Sequence, residues 1–357
     1  MQYKSKKLIH HLHQFTKLII FITITACSPL QMLPTQEESR PLVSTAAAVS
    51  IAPATDTISS TQNLIDNSSS VSPSIIPPTS VTSVHDSSLT NRDPVITSAP
   101  LPPDYWMSLP IIPTVSKIAR EISQHGIELS RNPHTFSKIG DCQSISTYFL
   151  KYFDLPGFYN LGSYSSLQES IDWFSGSFSR DSMSVKGGFN AAAILSPLRA
   201  DPILCNGNEN PIACEYRLNN PSIAIISLEE WWTDHPENYE YYLRQIIEYS
   251  IEQGVVPIIA TKADNLEGNH LINQIIARLA LEYDIPLWNF WLAVQPLPNH
   301  GLRAVDSTGV EDMFHLTHSE GYYFYNDPFA PQSGWSIRNL TALQALDAVR
   351  RGLINQP

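Results

Sequence analysis

The sequence predicts an α/β protein whose folded part is a three-layer α/β/α sandwich around a mostly parallel sheet. Short apolar runs alternate along the chain with segments of helical period, as repeated strand–helix–strand units do. The run at 222–228 (SIAIISL) is nearly continuous in apolar residues, which is typical of a strand buried on both faces. Such a pattern over roughly 250 residues is enough for one large core.

The predicted elements follow one another from residue 114 onwards. Residues 114–129 have a helical period with Thr114 as the candidate N-cap, and Phe136–Ile139 is a short strand that runs into Gly140. Cys142–Tyr152 is predicted as a helix. The later elements are a strand at 222–228, a helix at 238–253 ended by Gly254, a strand at 255–260, a helix at 270–283, a strand at 285–290 and a C-terminal helix.

The N-terminal segment has the pattern of an export signal. Residues 1–26 contain four lysines and no acid, and the apolar run Leu18 to Ala26 is too short to span a bilayer as a mature helix. The segment ends Ile24-Thr25-Ala26-Cys27, which resembles a bacterial lipobox. We therefore expect a lipoprotein signal peptide at 1–26 and an extracytoplasmic protein anchored to the membrane through lipid on Cys27. An ordinary signal peptide, or an anchor helix with a chance cysteine, is the alternative.

The next segment differs in composition from the rest of the chain. Residues 27–104 are rich in Ser, Thr, Pro, Ala and Val without a sustained period, so they cannot bury enough apolar surface to offset the entropy of ordering. We predict a disordered tether at 27–104 and a folded domain at 105–357. The formal charge is −12, from 22 basic and 34 acidic residues. This acidic balance argues against nucleic acid as a partner.

Two of the four cysteines bracket a polar loop. Cys205 and Cys214 flank residues 206–213, and two such cysteines in an exported protein usually form a disulfide. Two free or buried thiols are the alternative. Cys142 then remains as a thiol that needs an explanation.

Gly140-Asp141-Cys142 follows the predicted strand Phe136–Ile139. In doubly wound α/β domains, ligand sites form at the carboxyl ends of the strands. Gly140 allows a tight turn, and residue 142 would then lie near a helix N-terminus, which favours an anion. A cysteine there is expected to be partly thiolate and therefore nucleophilic. The alternative is a small buried cysteine in a structural turn, with Asp141 as a helix cap.

Asp312-Met313-Phe314-His315 offers the groups that would assist such a nucleophile. A general base must accept the nucleophile's proton, and a carboxylate must hold the imidazole in the correct tautomer. His315 and Asp312 fit these two roles. A surface Asp–His pair without a role is the alternative.

Together these motifs resemble those of the SGNH/GDSL hydrolases, over residues ~135–318. In that family the chain order is nucleophile first and Asp/His last, and the resemblance implies that the Gly188 N–H is an oxyanion donor. The matching segments are Lys138–Asp141, Lys186–Ala191, Pro221–Ile226, Trp288, Leu297-Pro298 and Asp312…His315.

The sequence departs from the family at functional positions. Cys142 replaces the nucleophilic serine. The third block, Gly-x-Asn-Asp in the family, reads Glu229-Glu230-Trp231-Trp232 here, so Glu229 aligns with the glycine and Trp231 with the oxyanion-binding asparagine. Losing one such donor typically removes about 2.7–4 kcal/mol of transition-state stabilisation, and a glutamate near an oxyanion would add repulsion.

We therefore expect a ligand-binding domain with little or no hydrolase activity. Its aromatic residues could hold a cell-envelope glycan or an acylated small molecule; the candidates are Trp231, Trp232, Tyr239, Tyr241, Tyr242 and the run Tyr322-Tyr323-Phe324-Tyr325. The alternative is an active acyl or ester hydrolase that uses a Cys142–His315–Asp312 triad. His270 and His318 lack a metal-ligand spacing, so the sequence predicts no metal or other cofactor.

Overall fold

A four-stranded, all-parallel sheet forms the centre of the domain in the computed structural model, which describes residues 102–228, 235–328 and 333–354. The strand order is β1-β2-β3-β4, with each strand paired to the next along the chain. The strands are β1 (Asn132–Gly140), β2 (Pro221–Ser227), β3 (Val256–Ala260) and β4 (Leu287–Trp288).

Helices connect and cover these strands, so the predicted α/β class is confirmed. In chain order they are α1 (Lys117–Glu128), α2 (Gln168–Trp173), α3 (Ala191–Ile194), α4 (Pro211–Asn219), α5 (Pro236–Glu252), α6 (Leu271–Glu282), α7 (Phe290–Val294) and α8 (Gly334–Ile354). Within the described ranges, no helix combines the length and the hydropathy that crossing a bilayer requires.

The two central strands are buried on both faces. All five residues of β3 are buried, and six of the seven in β2. Because successive residues of a strand point to opposite faces, this pattern requires protein on both sides of the sheet. Pro257 lies in β3 opposite Ala224, so this central strand has one N–H donor fewer than a regular strand.

The predicted helix over Cys142–Tyr152 is wrong. The structure has only a 3₁₀ turn at Cys142–Ser144 and another at Lys151–Asp154. Ile145 is extended (ψ 131°), and Leu150 has a left-handed backbone (φ 68°). The Leu150 N–H donates to Asn339 Oδ1 at 2.7 Å, so a contact with α8 replaces the helical hydrogen bond.

Two other boundaries differ from prediction because a polar side chain caps a helix. Ser116, and not Thr114, is the N-cap of α1, where its hydroxyl accepts from Ala119 N–H. The last strand ends at Trp288 instead of residue 290, because Asn289 caps α7 by accepting from Leu292 N–H.

The predicted disulfide between Cys205 and Cys214 is present, with Cα atoms 5.3 Å apart. It joins the loop before α4 to the first half of that helix. The predicted signal segment, Cys27, most of the tether, Glu229 and Trp231 lie outside the described residues.

Candidate functional site

The turn after β1 is built around Gly140, where another backbone approaches closely. A Cβ at Gly140 would lie 2.1 Å from Ser144 Oγ and 2.5 Å from the carbonyl oxygen of Ser227, the last residue of β2. No side chain fits this space. The chain therefore bends sharply at the carboxyl end of β1, where Cys142 follows directly.

Asp141 and Cys142 form the start of this turn. The Asp141 carboxylate accepts a hydrogen bond from Gln143 N–H at 2.9 Å and so caps the turn, as the sequence had suggested for this residue. Cys142 is half-buried and lies outside the disulfide. Because the helical turn has only three residues, the expected support of a thiolate by a helix dipole does not apply here.

A hairpin over residues 302–316 carries the other two candidate residues. Leu302 and Leu316 pair as an antiparallel bridge, and Arg303 N–H donates to the His315 carbonyl at 2.8 Å. Further along, Asp312 N–H donates to the Ala304 carbonyl at 3.0 Å. These bonds fix the backbone of Asp312 and His315 on one arm of the hairpin.

Cys142, His315 and Asp312 come together in space although they are far apart in sequence. Cys142 Sγ lies 3.8 Å from His315 Nε2, within hydrogen-bond distance for sulfur. The other ring nitrogen, Nδ1, lies 3.0 Å from Asp312 Oδ1 and 3.2 Å from Oδ2. This is the order thiol, imidazole, carboxylate in which a nucleophile, a base and an orienting group act.

Asp312 is 8% exposed and is held as a carboxylate. Burial alone would raise its pKa, but the backbone N–H and the imidazole of His315, together with the charge of Arg303, outweigh burial and lower the pKa below its usual value. The backbone N–H of His315 donates to Asp312 Oδ1 at 3.0 Å, and Arg303 Nη2 lies 2.6 Å from Oδ2. Sequence reasoning missed Arg303, because it lies outside the recognised motif.

A side chain next to Cys142 ties the two halves of the site together. Gln143 Nε2 donates to the Phe314 carbonyl at 2.9 Å, so the turn after β1 is bonded to the hairpin beside His315. The Phe314 ring in turn contacts the His315 ring edge-on, with centroids 4.9 Å apart. Gln143 therefore fixes the separation of thiol and imidazole, a role that the sequence did not indicate.

Gly188 lies on the loop that follows a short pairing beside β1. Val185 forms a parallel bridge with Gly140, and Gly140 N–H donates to the Ser184 carbonyl at 3.0 Å. Gly188 has a left-handed backbone (φ 77°) in the turn closed by Phe189 N–H and the Lys186 carbonyl. Apart from its chain neighbours, no heavy atom of the described residues lies within 4 Å of where its Cβ would be. The loop thus starts at the same sheet edge as Cys142 and leaves open space at Gly188.

The aromatic residues predicted to line a groove divide into two groups. Tyr322, Tyr323 and Tyr325 are buried in the core, and Tyr239 is buried with its hydroxyl donating to the Leu228 carbonyl at 3.0 Å. Tyr242 is half-buried against the core, whereas Phe324 and Tyr241 are exposed. Trp231 and Trp232 lie outside the described residues. Four of the seven aromatics in the described residues are therefore part of the core.

In the described part of the chain, the side chains of Cys205, Glu209 and Cys214 lie close enough together to be considered as metal ligands. The sulfurs of the two cysteines are, however, bonded to each other. A disulfide sulfur is not a thiolate and is a poor metal ligand.

Comparisons of this chain with protein-family models, with curated proteins and with solved structures found no match.

Proposed function

We propose that Cys142, His315 and Asp312 act as nucleophile, general base and orienting carboxylate in a site that takes an acyl group from an ester. One observation carries this proposal: the unbroken chain of contacts from Sγ through the imidazole to the carboxylate, between residues 173 positions apart. The resemblance of the motifs to SGNH/GDSL hydrolases implies the same three roles.

The chemistry begins with proton transfer from Cys142 Sγ to His315 Nε2. The thiolate attacks the ester carbonyl carbon, a C–S bond forms, the ester C–O bond breaks, and the leaving alkoxide takes its proton from His315. Water activated by His315 then attacks the thioester, releases the carboxylic acid and restores the thiol. Asp312 stabilises the imidazolium that forms in both halves of the reaction.

We propose further that the second half is slow. The Gly188 N–H and the backbone N–H of residue 142 would form a reduced oxyanion hole, since Glu229 and Trp231 replace the glycine and asparagine of the third block. The missing donor removes about 2.7–4 kcal/mol from the stabilisation of each tetrahedral intermediate. In the acylation of Cys142, a good leaving group on the ester can offset this loss of stabilisation. The attack of water on the thioester has no comparable compensation.

The second candidate function is ligand binding without turnover, in an extracytoplasmic protein anchored through Cys27. The identities of Glu229 and Trp231 favour it, because a glutamate repels an oxyanion and a tryptophan lacks the amide donor of the family's asparagine. The ligand would be an acylated small molecule or a cell-envelope glycan held beside Cys142 and His315. The two candidates differ in whether Cys142 ever becomes acylated.

A burst experiment with p-nitrophenyl acetate separates them. We expect release of about one equivalent of p-nitrophenol, acetylation of Cys142 on peptide mapping, and slow turnover afterwards. Cys142→Ala removes the burst. His315→Ala slows it by about 10²-fold or more, whereas His318→Ala, which changes an exposed histidine three residues away, leaves it unchanged.

The absence of any burst, with Cys142 unmodified, would refute the acyl-transfer proposal and favour ligand binding. Cys142→Ser alone should restore little esterase activity. Cys142→Ser combined with Glu229→Gly and Trp231→Asn should restore more, because this variant regains the family's third block. Fast wild-type turnover that requires Cys142 would show that the oxyanion hole is intact.

A further inference from the structure

Arg303 shares the Asp312 carboxylate with His315. Its Nη2 lies 2.6 Å from Asp312 Oδ2, while His315 Nδ1 lies 3.0 Å from Oδ1 of the same group. The backbone of Arg303 is also fixed to the histidine, since its N–H donates to the His315 carbonyl at 2.8 Å. The guanidinium and the imidazole therefore share one carboxylate, and a backbone hydrogen bond pairs Arg303 with His315.

This arrangement changes what the carboxylate can do for the base. A carboxylate that faces only an imidazole stabilises the imidazolium with its full charge. Here a permanent positive charge already neutralises much of that carboxylate, and the same charge repels an imidazolium on the other side of it. The thiolate of Cys142 gains less from Arg303, because the imidazole lies between them.

The titratable groups that bear on Arg303 in the described residues are few. Asp312 and His315 lie on the same hairpin, Asp306 acts on Arg303 from the hairpin turn, and Cys142 faces His315 from the turn after β1. Asp306 is fully engaged by Thr308 and Val310, whose groups hold its pKa below the usual value. It therefore stays ionised and does not titrate together with the Cys142–His315 pair.

We infer that Arg303 is a positioning residue that restrains the acyl-transfer site by keeping His315 neutral and Cys142 protonated until a substrate engages them. This inference rests on the proposed function, because it assumes that Cys142 and His315 exchange a proton. Arg303 would set the share of the thiolate–imidazolium form when Cys142 and His315 hold one proton between them. Removing its charge should raise that share, and with it the reactivity of Cys142 at neutral pH.

The test is the pH profile of Cys142 alkylation in the full chain, with iodoacetamide as the probe and peptide mapping to separate Cys142 from Cys27. We expect Arg303→Gln to raise the alkylation rate of Cys142 at pH 7 by about 10-fold, because loss of a nearby positive charge favours the imidazolium by roughly one pKa unit. Arg303→Lys keeps the charge and should raise the rate by less than about 3-fold. The side chain of Arg303 is 38% exposed, so both variants should fold, which the thermal unfolding transition verifies.

The outcomes separate the two proposals. An Arg303→Gln profile that coincides with the wild type, while His315→Ala still alters the wild-type profile, would overturn the role of Arg303 and leave the proposed function standing. A profile that His315→Ala does not alter would refute the proton exchange itself and this inference with it. Faster alkylation of Cys142 in Arg303→Gln but not in Arg303→Lys would support both.

Discussion

Two buried lysines of this domain have opposite charge behaviour. Lys138, in β1, is 2% exposed and donates to two neutral acceptors, Ser146 Oγ at 2.7 Å and the Phe178 carbonyl at 2.8 Å. Lys262, just after β3, is 0% exposed and lies 2.8 Å from Asp264 and 2.6 Å from Glu267. The two sites have nearly equal burial but different partners.

The difference in partners decides the charge. Burial, with a smaller effect from Arg180, lowers the pKa of Lys138 to about 7. Burial acts on Lys262 in the same direction, but the carboxylates of Asp264 and Glu267 outweigh it and raise the pKa above its usual value. Lys262 is therefore an ammonium at neutral pH, and Lys138 is close to losing its proton. Burial alone does not tell whether a lysine in a core is charged.

The largest expected effect is that of Lys262→Met. This change leaves the buried carboxylates of Asp264 and Glu267 without the ammonium that faces them both, which typically destabilises a fold by about 3–5 kcal/mol. Urea unfolding at pH 7 measures the loss in the free energy of unfolding. The triple variant with Asp264→Asn and Glu267→Gln should recover a large part of it. A loss below about 1 kcal/mol would mean that the carboxylates do not depend on Lys262.

The disulfide provides a reference that does not titrate. Replacing Cys205 and Cys214 with serine should lower the free energy of unfolding by about 2.7 kcal/mol on the chain-entropy model, for a separation of nine residues. The loss should be the same at pH 6 and pH 9, in contrast to the effect at Lys138. A strongly pH-dependent loss would show that the serine side chains, and not the missing cross-link, cause it.

The most specific effect is the pH dependence contributed by Lys138. Its folded-state pKa of about 7 lies below the unfolded value of 10.5, so the unfolded chain binds more protons between these two values. Stability from this group therefore rises with pH across that window, with a slope of at most about 1.4 kcal/mol per pH unit. Below pH 7 Lys138 is charged in the folded state as well, so the folded state bears the full cost of burying its ammonium group.

Lys138→Met should remove this slope. The test is the free energy of unfolding of variant and wild type, measured as a function of pH. The variant should be more stable than the wild type by the largest margin near pH 6–7, and this margin should decrease towards pH 10. Lys262→Met serves as the control, because the raised pKa of Lys262 makes its stabilising contribution constant at neutral pH and lost only above about pH 10.5. Parallel curves for Lys138→Met and the wild type would show that Lys138 keeps its charge in the fold.

The strands and long helices could be predicted from the sequence because their signals are local. The apolar runs at 222–228 and 255–260 correspond to β2 and β3, and the helical period before Gly254 corresponds to α5. The segment after Cys142 could not be predicted in the same way. Its residues suit a helix, but bonds to α8, such as that from Leu150 to Asn339, determine its path.

The candidate site was predictable in part for the same reason. Cys142, Asp312 and His315 belong to short motifs that can be read one at a time, and the structure brings them together. Arg303 and Gln143 act through hydrogen bonds that span the fold, and neither belongs to a motif. Their contribution depends on the pairing of Leu302 with Leu316, which fixes the hairpin and has no clear pattern in the sequence.

The disulfide also has a consequence for which thiol stays reduced as the chain folds. Cys205 meets Cys214 across a separation of nine residues, whereas reaching Cys142 requires a loop roughly seven times longer. Loop-closure entropy alone disfavours that longer loop by about 1.7 kcal/mol, or roughly 20-fold in the unfolded chain. The short pair is therefore oxidised first, which removes Cys205 and Cys214 as partners for Cys142. Chain connectivity thus protects the Cys142 thiol from mispairing with either of them before any tertiary structure has formed.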